Sequence, residues 1–129
     1  MIRAEFEVAS ASRHAAVRAD PVIVRAVRDI RRLYGDRVVR ILLFGSRARG
    51  EERPGSDYDI AVFLKDYDWS WDEVGRLADL TFDILMETYA DVSFFPIPVE
   101  ESVPCRLFTF NILEEGVELW VRSDQPQRQ

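Results

Sequence analysis

The sequence predicts a small α/β domain, a mixed sheet of a few strands with helices packed against it. Three observations carry that expectation. Two mostly apolar runs, "VVRILLF" (Val38 to Phe44) and "YDIAVFL" (Tyr58 to Leu64), read as buried strands. Capped amphipathic patterns stand on either side of that pair. The patterns follow one another as α-β-(short helix)-β-α-β-α, an alternation that builds a layered sheet. At 129 residues and 15.0 kDa the chain is sized for one domain, and 47% hydrophobic residues suffice to bury a core.

Residues 1–19 show no sustained apolar period and are expected to form a mobile leader. Asp20-Pro21 starts a helix, with Asp as N-cap and Pro at the first helical position. Ile23, Val27, Ile30 and Tyr34 recur at helical spacing, and Gly35 is placed to stop that helix. The first strand ends at Gly45, a short helix is expected from Ser46 to about Gly50, and Pro54-Gly55 marks a turn before the second strand. "SWDE" (Ser70 to Glu73) is a capping box ahead of Val74, Leu77, Thr81, Ile84 and Leu85, so a helix should run to about Thr88. "DVSFFPI" (Asp91 to Ile97) reads as a strand near a sheet edge, because Pro96 and Pro98 cannot donate to a ladder. A last helix over 103–115 ends at Gly116, Val117 to Val121 adds a short strand, and 122–129 is expected to be a disordered tail. The expected organisation is thus a leader (1–19), one domain (20–121) and a tail.

Composition excludes several classes. No apolar run approaches the ~18 residues of a membrane span. The single Cys105 forbids an intramolecular disulfide and a multi-cysteine metal cage, fits a cytoplasmic protein, and reads as a packing residue. His14, the sole histidine, lies in the leader. Any metal must be held by carboxylates, which favours magnesium or manganese. The net charge of −6 is unevenly spread: residues 1–53 hold twelve arginines against seven acidic residues, and 54–129 hold five basic against sixteen acidic. The acidic half argues against direct nucleic-acid binding and for a basic protein partner.

The chemistry concentrates in "FGSRARGEERPGSDYDIAVFL", Phe44 to Leu64. Asp57 and Asp59 are two apart, so a strand puts both carboxylates on one face. Like charges placed so closely repel unless a cation lies between them, and a pair of divalent ions about 3.5–4 Å apart is the clamp for in-line phosphoryl transfer. The alternative is that one aspartate caps the turn while the other faces water. The loop ahead of the strand favours the metal. Gly45 lets a ligand approach the backbone, Ser46 opens a short helix, and Arg47 and Arg49 add positive charge. It is not a P-loop, since Glu51-Glu52 stand where Lys and Ser/Thr would be needed.

"GSRARG" followed by "GSDYDIAV" resembles the signature of the nucleotidyltransferase fold superfamily, whose fold is polymerase-β-like. The resemblance implies that Gly45 and Ser46 hold ATP as nucleotide donor; Arg47 and Arg49, by their charge, and Ser56 are expected to join them in nucleotide binding. It also implies that Asp57 and Asp59 bind magnesium, two ions in all, or manganese. A third carboxylate from a later strand falls on Asp91, with Asp83 and Glu87 as neighbouring competitors on the preceding helix. Asp91 would help hold the second ion and take the proton from an acceptor hydroxyl. Ala61, where the family often has leucine, should not touch the chemistry.

Size narrows the family. Members that modify antibiotics or tRNA ends carry an extra helical domain for the acceptor, whereas this chain resembles the minimal nucleotidyltransferases. Those act as antitoxins of HEPN-domain ribonuclease toxins, several by adding AMP to a toxin tyrosine. The resemblance therefore implies a protein adenylyltransferase whose partner is a HEPN toxin, with assembly as a homo-oligomer or as a hetero-oligomer with that toxin. Two other readings stay open: a small-molecule (aminoglycoside-type) adenylyltransferase, and an antitoxin that acts by binding alone.

Overall fold

The structure, a computed structural model, describes residues 3–100 and 106–123. Cys105 and residues 124–129 of the expected tail lie outside the described residues. The helices are α1 (Arg3–Ala19), α2 (Pro21–Tyr34), α3 (Ser46–Arg49), α4 (Trp71–Thr88) and α5 (Arg106–Glu115), and the strands are β1 (Val38–Phe44), β2 (Tyr58–Leu64), β3 (Val92–Pro98) and β4 (Val117–Val121). A short 3₁₀ turn, Gly35–Arg37, joins α2 to β1.

The four strands form one mixed sheet in the order β3-β2-β1-β4. β1 runs antiparallel to both β2 and β4, while β2 and β3 are parallel and joined through α4. Alternation along the central strands sorts their side chains onto two faces. Ile41, Leu43, Ile60, Val62 and Leu64 point to the larger core, which α2 and α4 close with Ile23, Ile30, Leu77 and Ile84. Leu42 and Ala61 point to the other face, where Ile112 of α5 covers them. That second cover is thin, and the carboxylate face lies on its side of the sheet.

The local signals act as their chemistry predicts. The Asp20 side chain accepts from the Val22 amide at 2.9 Å, and Ser70 Oγ accepts from the Glu73 amide at 3.2 Å. Gly35 takes φ +56° at the end of α2, a conformation that stops a helix without a Cβ penalty. Glu73, the buried acid of the described core, meets Arg37 in a fork: Nη1 donates to Oε1 at 2.9 Å and Nη2 to Oε2 at 2.6 Å. Arg37 also donates to the Lys65 and Asp66 carbonyls, so it staples the end where β1 begins and β2 finishes.

Two stretches differ from the sequence reading. Residues 3–19 are helical, and Arg18 Nε donates to the Glu118 carbonyl at 3.0 Å. The segment is rich in Ala, Glu and Arg, so propensity builds a helix without an apolar period. Arg122, assigned to the tail, is tied down instead: its amide donates to the Val39 carbonyl and its guanidinium to the Val38 and Gly35 carbonyls. β3 forms one open edge of the sheet. Tyr58 N–H donates to Asp91 O and Val99 N–H to Leu64 O, which turns the odd residues of β3 toward β2 and leaves Pro96 and Pro98 at outward positions.

Candidate active site

Asp59 is the second residue of β2, opposite Phe44 on one side and Ser93 on the other. Asp57 stands one residue before β2 and Asp91 one residue before β3. The parallel register pairs Tyr58 with Val92, so those two aspartates lie side by side at the start of neighbouring strands. Tyr58 N–H donates to the Asp91 carbonyl at 2.9 Å and locks the pairing. Asp57 and Asp91 are exposed and Asp59 is half-buried. Burial first, then the fields of Asp57 and Asp91, push the Asp59 carboxyl above the usual carboxylate range, with Arg49 pulling weakly the other way. Among the described residues none of the three is in an ion pair.

The Gly45 loop abuts this group. Gly45 has φ +79°, in the region that glycine alone enters readily, and a Cβ built there would fall 2.4 Å from Asp59 Oδ2. Only a glycine lets the β1 terminus close on the carboxylate. The Ala48 and Arg49 amides donate back to the Gly45 carbonyl, which leaves the Ser46 and Arg47 amides at the head of the turn without an intrahelical acceptor.

The structure assigns the loop's other predicted residues local partners. Arg47 Nε donates to the Ser56 carbonyl at 3.0 Å, and its guanidinium lies 3.9 Å from the Tyr58 ring centroid. Arg49 pairs with Glu51 at 2.7 Å and faces Glu115 at 3.7 Å. Ser56 Oγ accepts from the Arg53 amide and shapes the turn. Glu87 pairs with Arg25 of α2 at 2.5 Å, which takes it away from the carboxylate group. Asp91, by contrast, lies beside Asp57 at the start of the neighbouring strand.

Tyr58 is a residue that the sequence reading missed. It has the opposite strand parity to its two aspartates, so it enters the core, and its hydroxyl donates to Asp20 Oδ2 at 2.7 Å. Burial, followed by that bond, pushes its hydroxyl up to about 12. The "DYD" triplet thus has two functions on two faces: the carboxylates face outward while the tyrosine ties β2 to the start of α2. A cavity of about 160 Å³ opens there, lined by Arg13, Asp20, Arg47 and Tyr58 among others. A larger one, about 530 Å³, follows α2 past Arg18, Arg28, Arg31 and Val27. Neither is lined by the three aspartates.

Among the described residues, no three His, Cys, Asp or Glu side chains are gathered closely enough to hold a metal ion as a set. The three aspartates meet at the range of their fields. Their chemistry nonetheless fits a divalent ion: every donor is a hard oxygen, and among the described residues the half-buried Asp59 has no ion-pair partner and only the distant field of Arg49 in its favour.

Residues 29–125 match the family model described as polymerase beta, nucleotidyltransferase. No curated protein matches. Among solved structures, the chain is similar to one of a toxin-antitoxin with AMP-PNP, at 21% identity over 75% of this chain and 72% of that one, TM-score 0.56. It is similar also to a mutant of the toxin-antitoxin MntA-HpeT in which two aspartates are each replaced by glutamate, at 18% identity over 77% and 73%, TM-score 0.55. A third is tri-AMPylated Shewanella oneidensis HEPN toxin in complex with MNT antitoxin, at 18% identity over 76% and 69%, TM-score 0.50. At these identities the likeness is one of fold.

Proposed function

The chain belongs to the polymerase beta nucleotidyltransferase family, and on that premise we propose that it moves AMP from ATP to a hydroxyl on a protein partner of the HEPN-toxin kind. The observation that carries the reading is the end-of-sheet group, in which Asp57 and Asp91 act on the half-buried Asp59 through their fields, beside a Gly45 whose φ of +79° strains any side chain placed there. One of the similar structures, an MNT antitoxin in complex with a tri-AMPylated HEPN toxin, supports the partner class.

Asp57 and Asp59 would hold magnesium, with Asp91 as the third carboxylate; when bound, the metal supplies charge stabilisation on the phosphates and lowers the acceptor hydroxyl's pKa. Gly45 admits the phosphate chain to the backbone, and the amides of Ser46 and Arg47 face it as donors. Arg47 and Ser56 act indirectly by shaping the loop. Asp91, exposed at its strand end, takes the proton from the acceptor oxygen, so that the oxygen attacks the α-phosphorus and pyrophosphate departs.

The test is co-expression with the product of the adjacent reading frame, followed by intact mass of both proteins after incubation with ATP and magnesium. Whole-AMP increments on the partner are expected. Label confined to small molecules such as aminoglycosides, with both proteins unmodified, overturns the reading in favour of a small-molecule adenylyltransferase.

A further inference from the structure

α4 has two apolar faces, and the fold uses one of them. Leu77 and Ile84 enter the core. On the outward side, Trp71, Gly75, Ala78, Phe82, Met86 and Tyr89 succeed one another at spacings of three and four, one stripe along the whole helix. Its large side chains are in water: Trp71 is 90% exposed, Phe82 58%, Met86 56% and Tyr89 89%. An apolar surface of that continuity marks an interaction site more often than an accident of composition.

Two residues of the stripe act against the chain's own stability. Gly75 lies inside the helix, where glycine is a poor helix former, and a Cβ there would meet nothing within 4 Å. Among the described residues nothing requires it to be small. Tyr89 caps the helix at φ +62°, a position that favours glycine or asparagine, yet it is an aromatic residue held almost wholly in solvent. A glycine where the fold would gain from a side chain, and a large side chain where the fold would gain from a glycine, lie on the same face. Local choices that oppose the fold mark positions kept for something outside it.

The charges beside the stripe define what that is. One position around the helix from it run Asp72, Arg76, Asp79, Asp83 and Glu87. Arg76 folds back on Glu73 and Glu87 is paired with Arg25. Among the described residues Asp72, Asp79 and Asp83 have no ion-pair partner. Two copies of this face would bring those carboxylates together, which disfavours self-association.

We propose that the outward face of α4 docks a basic amphipathic helix of the protein that accepts the nucleotide, its apolar stripe on Trp71, Phe82 and Met86 and its lysines or arginines against Asp72, Asp79 and Asp83. Gly75 and Ala78 let the two backbones come close at the middle of the contact. The stripe runs out at Tyr89, two residues ahead of Asp91, so a partner seated on it arrives at the carboxylate end of the sheet. The proposal rests on the protein-acceptor reading above.

The test uses the full chain, the co-expressed partner and two variants, Gly75→Leu and Phe82→Ser. Each should weaken partner binding at least tenfold, while the melting temperature of the isolated chain holds or, for Gly75→Leu, rises. Binding within twofold of wild type in both variants overturns the docking site, even where AMP transfer to the partner proceeds. The separate arm is a synthetic leucine-faced helical peptide flanked by lysines. It should shift the tryptophan emission to the blue in wild type and not in Trp71→Phe, and a glutamate-flanked peptide should do nothing. That result with no AMP adduct on any protein sustains the surface and removes the acceptor reading. Equal response to both peptides, or a dimer of the isolated chain that Phe82→Ser dissolves, overturns the basic-helix occupant.

Discussion

At the end of the sheet where β1 begins, Glu73 is buried and gripped by two guanidinium nitrogens of Arg37, whose hydrogen bonds lower its carboxyl below the usual range. At the opposite end Asp59 is half-buried beside Asp57 and Asp91, and its carboxyl is pushed up. The chain compensates one carboxylate and leaves the other wanting a cation. The first arrangement is what a fold needs, a buried charge with its hydrogen bonds made. The second costs stability in the isolated chain and makes sense only when something binds.

Removing the uncompensated group is the hardest blow to the comparison. Asp57→Asn or Asp59→Asn should lower nucleotide transfer on the order of a thousandfold in the presence of magnesium. The apo fold should stay level or gain. A raised folded pKa costs stability above it, so the gain from Asp59→Asn belongs to neutral pH and should vanish below about pH 3.9, where the unfolded carboxyl is also protonated. Turnover at the wild-type rate in either variant would refute the two-carboxylate metal site.

The compensated end should answer in stability and not in chemistry. Arg37→Ala leaves buried Glu73 with only the longer contact to Arg76 and should cost about 2–3 kcal/mol, less than for a fully enclosed pair because Arg37 keeps some contact with water. The sign follows from the depressed Glu73 carboxyl. Its contribution is present above the unfolded value of about 4.3 and is lost as pH falls through the folded one, so denaturation curves of wild type and variant should converge in acid. A constant gap down to low pH would mean that packing, not charge, holds that end.

A smaller effect sharpens the choice of third carboxylate. Asp91→Asn should slow turnover about 10–100-fold with little change in ATP affinity, since its task concerns the acceptor oxygen. Glu87→Gln removes an exposed partner of Arg25 and should stay within about 0.5 kcal/mol of wild type, with turnover unchanged. The reverse pattern would move the third ligand onto α4.

Much of this was legible because the signals are local. Asp20-Pro21 and the Ser70 N-cap mark helix starts, although Glu73 gives its carboxylate to Arg37 and the Ser70 amide turns to Asp68, so only half of the expected capping box forms; α4 ends at Thr88 as its periodicity predicts. The two-residue spacing placed Asp57 and Asp59 at the start of β2, and the strand after α4 carries Asp91 just ahead of its own first residue. What escaped depends on distance in sequence. Strand order and direction are set by packing, so the parallel pairing of β2 with β3 had no signal of its own. Nor did the Tyr58–Asp20 bond or the Arg37–Glu73 fork, both contacts between remote segments. The loop arginines were assigned to phosphate by charge alone, whereas Arg47 spends its guanidinium on Tyr58 and Ser56. α1 escapes for a different reason: it carries no apolar period, and its helix rests on propensity.

The two outward prolines of β3 bear on how long a lone copy survives. An open strand edge is a template, and in a crowded solution of identical chains it invites the next copy to add on. At Pro96 and Pro98 that edge offers no N–H to a newcomer, so a ladder growing there loses donors at alternate positions. An unpartnered chain can thus remain dispersed although β3 is the end strand of its sheet. Replacing both prolines by valine should leave the folded shape intact and shorten its shelf life, visible as scattering that rises with concentration and time.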